Sequence, residues 1–392
     1  MAKKVITGNY SAAYGAVVSG VQVISAYPIT PQTGVVEKLA ELVADGECTA
    51  RFVNVESEHS ALAVCIAASN SGARTFTATS SQGLLLMHEL LHWASAARAP
   101  VVLTNVNRAT APPWTVWADH TDSVSQRDTG CLQFYCESNQ EVLDTVIQAY
   151  KVCEDRSVLL PAIITLDAFY LSHTQQVVDI PQPEQVQKYL PPYDPPYKID
   201  PDKPVAIGSL SMPHQWFPEI RYNIARAMDT AREKILSADR EFEKLFGRSC
   251  GGLVEQYKCD DADYVLICAG TTASTAKIAV DALRKDGYKT GLARIRVFRP
   301  FPSEIIRDIC TRVMSVGVVD RAFSFGFEGP FFSEIKAACY GAGRTTPIKN
   351  YILGLGGRDV TVRHVENVYR NLMHIADKGI DRHVEWVDLK NC

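Results

Sequence analysis

The sequence lacks the features that mark membrane-spanning and nucleic-acid-binding chains. No apolar run approaches the roughly 18 residues that a membrane helix needs, and the chain opens on a strand-like VIT segment in place of an apolar signal core. Charge is nearly balanced, with 40 Lys+Arg against 44 Asp+Glu and no dense basic block. Such a balance gives no sign of the basic surface patch that binds nucleic acid. These absences predict a cytoplasmic protein that binds neither a membrane nor a nucleic acid.

Cysteine is plentiful, but it is not organised into a metal or disulfide framework. The 11 cysteines are scattered along 392 residues, and no Cys-x-x-Cys pair occurs. Cys65 and Cys268 stand within apolar runs, where a thiol acts as a small hydrophobic side chain. His88 and His92 have helical spacing but lack the third ligand of a metal site. The chain is therefore predicted to hold no iron–sulfur cluster and no metal of its own.

Short β-branched runs alternate with helical patterns along the first half of the chain. These runs cover residues 21–27, 49–55, 73–79, 99–106 and 157–166. Such alternation predicts an α/β fold with a parallel sheet and helices on both faces. Two helix starts are readable: Thr30 is predicted as an N-cap before Pro31, and Ser138-x-x-Glu141 has the pattern of a capping box.

The composition changes in the middle of the chain. Eight of the 20 prolines fall between residues 181 and 204, which predicts an extended strap over about 175–205. A charged amphipathic pattern then predicts one long helix over about 218–246. A second βαβ series follows at 262–270, 290–298 and 315–320. The chain is thus predicted to form two α/β domains, residues 1–250 and 251–392.

Polar residues and glycines follow four of the predicted strands at the carboxyl ends, where ligands bind in open α/β sheets. The four segments are AYPITPQTG (26–34), VESEHSA (55–61), TATSSQGL (77–84) and NRATAPPWTVWADHTDS (107–123). Each segment alone also fits an ordinary helix start or polar loop. Glu58 is more informative because it enters the first turn of an almost wholly apolar helix, where its carboxyl group is expected to be partly buried. The alternative is that Glu56 or Glu58 only complements the helix dipole.

The four segments together, in this order, resemble the α-subunit of the multi-subunit pyruvate:ferredoxin oxidoreductases, a thiamine-diphosphate-dependent 2-oxoacid:acceptor oxidoreductase family. ESNQEVLD (137–144), FRPFP (298–302), DRAFSFGFEGP (320–330) and GLGGRD (354–359) extend the similarity almost from end to end. The resemblance implies a thiamine-diphosphate pyrimidine-binding domain followed by a transketolase C-terminal-like α/β domain.

The resemblance also implies a reaction, the oxidative decarboxylation of a 2-oxoacid with coenzyme A to acyl-coenzyme A and CO₂. Pyruvate is the expected substrate. Phenylglyoxylate or a branched-chain 2-oxoacid stays open, since two tryptophans of the fourth segment suit a bulky or aromatic 2-oxoacid such as phenylglyoxylate as well as pyruvate. A non-catalytic subunit and a non-oxidative thiamine-enzyme subunit are the remaining alternatives.

Residue roles come from the same resemblance. Glu58 matches the glutamate that hydrogen-bonds the aminopyrimidine ring of the cofactor and takes part in proton transfer there. Thr30 and Arg108 match the positions that hold the substrate carboxylate. Trp114 is expected to line the substrate pocket, or else to pack with Trp117 against a partner subunit. The other implied cofactor-binding residues are Pro28, Ile29, Ser81 and Gln82.

The sequence contains no Gly-Asp-Gly motif, with which thiamine enzymes hold Mg²⁺ near the diphosphate. The resemblance therefore implies a β subunit that holds Mg²⁺ and the diphosphate. It also implies a γ subunit, a ferredoxin-like subunit with [4Fe–4S] clusters, and ferredoxin or another electron acceptor. Residues 270–272 and 354–359 follow strands and could form phosphate-binding turns or ordinary ones, which leaves contact of the second domain with coenzyme A open.

Overall fold

Strands and helices alternate along nearly the whole chain in the computed structural model, which describes residues 2–343 and 346–390. The first part of the chain contains, in order, β1 (Ala2–Ile6), α1 (Gly8–Val18), β2 (Val23–Ala26), α2 (Thr33–Ala44), β3 (Arg51–Asn54), α3 (Glu58–Asn70), β4 (Thr75–Thr79), α4 (Ser81–Leu86), α5 (His88–Ala96), β5 (Val102–Asn107), α6 (Thr121–Val124), β6 (Leu132–Tyr135), α7 (Asn139–Cys153), β7 (Ala162–Asp167), β8 (Gln176–Ile180), α8 (Pro183–Tyr189) and α9 (Phe217–Phe246). The second part contains β9 (Val254–Tyr257), β10 (Tyr264–Cys268), α10 (Thr272–Lys285), β11 (Thr290–Ile295), β12 (Val297–Arg299), α11 (Ser303–Arg312), β13 (Ser315–Asp320), α12 (Pro330–Cys339), β14 (Ile348–Ile352), α13 (Val362–Lys378) and β15 (Val384–Trp386).

The first sheet has seven strands in the order β12-β6-β7-β5-β4-β2-β3. All of its neighbouring strands are parallel except β12, which runs antiparallel to β6. Alternate residues of β5 enter different hydrophobic clusters: Val102 and Val106 pack on the side of α1 and α7, and Leu103 packs on the side of α3 and α5. The predicted parallel sheet with helices on both faces is confirmed.

The second sheet has six strands in the order β15-β14-β13-β10-β11-β9, and only β9 is antiparallel to its neighbour. The run 290–298, predicted as one strand, is divided between the two sheets, and that prediction was wrong. Arg296 stands at the division, fully buried, and donates to the Gly252 carbonyl and to Gln148 Oε1, each at 2.9 Å. Satisfying this buried guanidinium turns the chain, and β12 joins the first sheet beside β6.

The proline-rich segment is only partly extended. Within 175–205, β8 pairs antiparallel with β1, and α8 starts with Pro183 in its first turn and a capping box between Gln182 and Gln185. The expectation of a continuous strap was wrong here because a proline in the first turn of a helix costs no hydrogen bond. Residues 190–205 contain no helix or strand.

The long amphipathic pattern forms α9, whose 30 residues end at the left-handed Gly247. Its buried residues recur every three or four positions, so one stripe of the helix faces the core and the other faces solvent. None of the helices formed by residues 2–343 and 346–390 has the length and apolar character needed to cross a membrane.

Candidate active site

The carboxyl ends of β2, β3, β4 and β5 meet at one edge of the first sheet, because these strands are parallel neighbours. The four segments singled out in the sequence follow these strands directly. Helices α2, α3 and α4 begin at the same edge, and the long segment after β5 leads to α6. Ligands of open α/β folds bind in this position.

Glu58 is the first residue of α3, which Ser57 caps by accepting a hydrogen bond from the Ser60 amide at 3.2 Å. The expected burial of Glu58 is confirmed, since its side chain is only 8% exposed. Its carboxylate has no hydrogen bond or ion pair within the described part of the chain. It lies instead against Gly83, where an added Cβ would stand 2.7 Å from Glu58 Oε1. A buried carboxylate without a donor is costly, so this site is built for a partner that donates a hydrogen bond.

The turn between β4 and α4 brings Ser81 and Gln82 to the same edge. Ser81 is fully buried at a φ of 49°, in the left-handed region that non-glycine residues seldom adopt. Its hydroxyl lies 2.8 Å from the Ala109 carbonyl oxygen and 2.6 Å from Gln82 Oε1. Such a backbone conformation persists where the surrounding contacts enforce it, and these contacts turn Gln82 toward β5.

Asp122 joins the turn after β4 to the end of β5. Its Oδ2 accepts hydrogen bonds from the backbone amides of Ser81 at 3.0 Å and Arg108 at 3.1 Å, and from Asn105 Nδ2 at 3.0 Å. Burial raises the pKa of Asp122 to about 7, and the hydrogen bonds from Asn105, Arg108 and Ser81 oppose that rise. One carboxylate thereby fixes the relative position of two segments that carry site residues.

Arg108 is 3% exposed and lies between two of the other segments. Its Nη1 donates to the Thr30 carbonyl oxygen at 2.6 Å, and its Nη2 donates to Gln82 Oε1 at 2.9 Å. Burial lowers the pKa of Arg108, and the charge of Asp122 partly offsets this effect. Arg108 Nε and Gln82 Nε2 are buried without a hydrogen-bond partner among the described residues. The Arg108 guanidinium and the neighbouring Gln82 side-chain amide therefore each keep an N–H donor that no described residue uses.

Thr30 contacts Arg108 through its carbonyl group, while its side chain is exposed. The prediction that Thr30 caps a helix beginning at Pro31 was wrong: α2 begins at Thr33, and residues 30–32 form a turn. Gln32 holds that turn because its buried side chain donates to the Ala78 carbonyl oxygen at 2.9 Å and accepts from the Ile29 amide at 3.3 Å. Pro28 lies exposed two residues before this turn.

The two tryptophans of the fourth segment differ in their surroundings. Trp114 is 78% exposed, and its ring lies 5.6 Å from the Arg108 guanidinium carbon, within cation–π range. Trp117 is 48% exposed and packs against Phe169 with 4.4 Å between ring centroids. Trp114 is therefore the tryptophan that adjoins the candidate carboxylate-binding arginine.

Neither glycine turn of the second domain offers an open phosphate site. After β10, the Thr271 amide and hydroxyl both donate to Asp167 Oδ2, the amide at 3.1 Å. After β14, the Gly356 amide donates to Asp119 Oδ2 at 3.3 Å. In each turn a donor that a phosphate would use is bound to a carboxylate of the first domain, so these contacts favour the ordinary-turn alternative.

Two residues important to this geometry, Asp122 and Gly83, were not singled out by sequence reasoning. Asp122 stood in a polar loop without a distinguishing signal. Gly83 matters because only a residue without Cβ leaves room for Glu58 and for Thr79 Oγ1, which is itself buried without a partner among the described residues. A glycine in the third position of a helix is unfavourable by propensity, and that was the available signal.

The site fits the pyrimidine half of thiamine diphosphate on the chemistry of its donor set. The Glu58 carboxylate needs a hydrogen-bond donor, and Gly83 keeps the adjoining space open. The unpaired nitrogens of Gln82 and Arg108 lie at the neighbouring turn. The residues present can thus hold an uncharged nitrogen heterocycle at one end and an anion at the other.

Comparisons with known proteins agree with this assignment. Residues 14–240 match the thiamine-diphosphate-binding family of pyruvate flavodoxin/ferredoxin oxidoreductases, and residues 262–365 match core domain II of pyruvate:ferredoxin oxidoreductase. The chain is 51% identical over 390 residues to the ketoisovalerate oxidoreductase subunit VorA of Pyrococcus horikoshii, covering 99% of this chain and 98% of that one. It is 44% identical to the pyruvate synthase subunit PorA of Methanothermobacter thermautotrophicus, covering 100% and 99% of the two chains.

Two solved structures share the fold. A 2-oxoglutarate:ferredoxin oxidoreductase from Magnetococcus marinus superposes with a TM-score of 0.74 at 20% identity, covering 95% of this chain and 65% of that one. This chain thus spans just under two thirds of that protein. A split-gene transketolase, described as an inactive β4 tetramer, gives a TM-score of 0.54 at 11% identity and is covered over its full length.

Fold and site define an α/β protein of the thiamine-diphosphate enzymes, with a pyrimidine-binding domain and a transketolase-like second domain. The chain belongs to the pyruvate:ferredoxin oxidoreductase family, that is, the 2-oxoacid:acceptor oxidoreductases, and is its α-type subunit. The resemblance drawn from the sequence is confirmed. The members of this family are enzymes that function as complexes of several subunits.

Proposed function

We propose that this chain is the α subunit of an oxidoreductase acting on a branched-chain 2-oxoacid, which it decarboxylates with coenzyme A and a one-electron acceptor. The supporting observation is the 51% identity to a ketoisovalerate oxidoreductase subunit over the full length, compared with 44% to a pyruvate synthase subunit over the same length. Pyruvate, the substrate expected from the sequence, remains the second candidate because of that 44% relative.

The charge of the site supports a 2-oxoacid with a single carboxylate. Arg108 is the only lysine or arginine in the four segments 26–34, 55–61, 77–84 and 107–123. One guanidinium can form a paired contact with one carboxylate. A dicarboxylic 2-oxoacid would call for a second cation at this edge.

Each site residue then has a definite task. The Glu58 carboxylate would accept a hydrogen bond from the aminopyrimidine ring of the bound cofactor and would be the group that transfers a proton there. Arg108 orients the substrate carboxylate beside the turn of Thr30, and Trp114 covers that position. Pro28, Ile29, Ser81 and Gln82 shape the cofactor side of the site. Thiamine diphosphate, when bound, supplies the stabilised carbanion that decarboxylation needs.

The remaining parts of the reaction belong to partner subunits. A β subunit would hold the diphosphate and Mg²⁺, since the sequence lacks the Gly-Asp-Gly motif. A γ subunit and a ferredoxin-like subunit with [4Fe–4S] clusters would complete the complex and pass electrons to ferredoxin. The cytoplasmic location and the domain division at residue 250 stay predictions.

The experiment is a substrate panel on the purified native complex. 2-Oxoisovalerate, pyruvate, phenylglyoxylate and 2-oxoglutarate are each supplied with coenzyme A and ferredoxin, and acyl-coenzyme A formation is measured. We expect the highest kcat/KM with 2-oxoisovalerate. A higher value with pyruvate would select the second candidate, and a preference for 2-oxoglutarate would contradict the single-carboxylate argument. Iron analysis of the same complex tests the oxidative assignment, because a non-oxidative thiamine enzyme needs no clusters.

A further inference from the structure

The second domain forms hydrogen bonds with the C-terminal end of the segment that carries the proposed substrate-binding residues. This segment, residues 108–120, joins β5 to α6 and is called the substrate loop below. Arg321, which follows β13, accepts a hydrogen bond from the His120 amide at 2.8 Å through its carbonyl oxygen. Its Nη2 donates to the Ala118 carbonyl oxygen at 3.1 Å, and the Gly357 amide donates to the same oxygen at 2.7 Å. Two turns of the second domain therefore fix the loop at Ala118 and at His120.

A buried charge network keeps Arg321 in this place. Its Nη1 donates to Asp167 Oδ2 at 2.8 Å, and His120 Nε2 lies 2.9 Å from Asp167 Oδ1. Burial alone would raise the pKa of Asp167, but the charges of Arg321 and His120 hold it well below its usual range. Arg321, Asp167 and His120 are at most 3% exposed. Removing one member would leave a buried charge without its partner, so the arrangement is rigid.

Gly357 approaches the loop more closely than any other residue type could. Its φ is 80°, and a Cβ added there would overlap Trp117 Cβ. The Trp117 carbonyl oxygen in turn accepts a hydrogen bond from the Ala109 amide at 3.0 Å, which closes the neck of the loop. Ala109 directly follows Arg108. A displacement of Trp117 would therefore be passed across the neck to the residue next to the proposed carboxylate ligand.

We infer that Arg321 and Gly357 are positioning residues for the substrate site, so that the second domain sets the affinity for the 2-oxoacid without touching it. This inference rests on the proposed function, because it assumes that Arg108 and Trp114 contact the substrate. It gives the second domain a task in the reaction besides packing. The physical reason is that the neck of the loop, at Ala109 and Trp117, and the second domain, at Ala118 and His120, both fix the segment 111–117 that carries Trp114.

The experiment compares Gly357→Ala with Gly287→Ala in the complete complex. Both glycines lie in the second part of the chain at similar positive φ, 80° and 90°, so both alanines carry similar backbone strain. Gly287 has nothing within 4 Å of its added Cβ. We expect Gly357→Ala to raise KM for the 2-oxoacid at least tenfold while the dissociation constant for thiamine diphosphate changes less than twofold. Gly287→Ala should keep both values.

Arg321→Lys is the second variant. The single ammonium group of lysine can pair with the Asp167 carboxylate but cannot at the same time donate to the Ala118 carbonyl oxygen, as the two Nη atoms of arginine do. We expect a smaller rise in KM, about threefold or more, in a complex that assembles normally. An unchanged KM in both Gly357→Ala and Arg321→Lys would overturn the inference. Equal effects in the two glycine variants would also overturn it, since backbone strain would then be the cause.

Failure of the inference and failure of the proposed function give different results. If Arg108→Lys leaves kcat/KM unchanged, the substrate site itself is misplaced. If Arg108→Lys impairs the enzyme while Gly357→Ala does not alter KM, the site is right and its control by the second domain is wrong.

Discussion

Glu58 and Gly83 are in direct contact across the edge of the first sheet, with the carboxylate standing where a side chain at 83 would begin. The two residues lie on different helices, α3 and α4, and neither segment predicts the contact. A methyl group at position 83 would have to displace Glu58 or Thr79. The space around the Glu58 carboxylate thus exists because residue 83 is a glycine and has no Cβ atom.

The first prediction concerns this contact. Gly83→Ala should move the Glu58 carboxylate and lower kcat at least tenfold, because general acid–base catalysis depends on hydrogen-bond distance. The rate of acyl-coenzyme A formation by the complex at saturating substrate measures kcat. Gly343→Ala is the matched control, since Gly343 has open space around its added Cβ and should keep normal activity. Full activity in Gly83→Ala would show that the close contact is not needed.

The second prediction concerns the proton on Glu58. Glu58→Gln keeps the shape of the side chain but cannot exchange a proton, so kcat should fall about 100-fold or more. Complex assembly and the thermal unfolding temperature should stay near those of the unchanged protein, because the carboxylate forms no ion pair within the described residues. A variant with half of the normal activity would refute the assigned role. Glu56→Gln, at an exposed neighbour, is the control.

The third prediction concerns Arg108. Arg108→Lys should lower kcat/KM about tenfold or more, mainly through KM, because an ammonium group cannot replace a guanidinium that donates to Thr30 and Gln82 at once. Steady-state kinetics with the preferred 2-oxoacid measures the effect. Arg51→Lys at an exposed strand residue should leave the kinetics unchanged. Equal losses in both variants would point to a general effect of arginine replacement.

The fourth prediction concerns pH. The pKa of Asp122 is raised by burial to about 7, above the value of about 4 for an exposed aspartate. Between these two values the folded chain holds a proton that the unfolded chain has released, so the contribution of Asp122 to stability falls as pH rises through this window and is lost above pH 7. Relative to that of Asp122→Asn, the free energy of unfolding of the unchanged protein should therefore fall by up to about 1.4 kcal/mol for each pH unit between pH 5 and 7.

Thermal unfolding of both proteins at several pH values measures this difference. Asp45→Asn, at an exposed helix end, should follow the unchanged protein at every pH. A constant difference between Asp122→Asn and the unchanged protein from pH 5 to 7 would show that Asp122 does not titrate in this range. Asp122→Asn should also lower kcat/KM, because both carboxylate oxygens accept from backbone N–H groups, of Ser81 and Arg108 on one side and of Ser123 on the other, and the amide NH₂ group of asparagine would have to face one of them.

Sequence patterns predicted the parts of the fold that depend on local periodicity. The strand runs of the first half became β2, β3, β4, β5 and β7, and the long amphipathic pattern became α9. Errors arose where a tertiary contact outweighed the local signal. Arg296 stands where one predicted strand is divided between the two sheets, and its buried guanidinium donates to Gln148 on α7 and to the Gly252 carbonyl before β9. The Gln32 side chain holds the turn at residues 30–32 through the Ala78 carbonyl oxygen, and α2 begins only at Thr33.

By itself, the order of short motifs along the chain determined the family, the class of reaction and the dependence on partner subunits, because those features are carried by residue types at fixed spacing. Only the tertiary structure decided that Asp122 joins two strand ends, that Gly83 makes room for Glu58, and that the second domain reaches Ala118 through Arg321. The reason is geometric. These contacts join residues tens to hundreds of positions apart. The parallel first sheet brings the strand ends near Asp122, Glu58 and Gly83 to one edge, and packing of the second domain against the substrate loop adds Arg321.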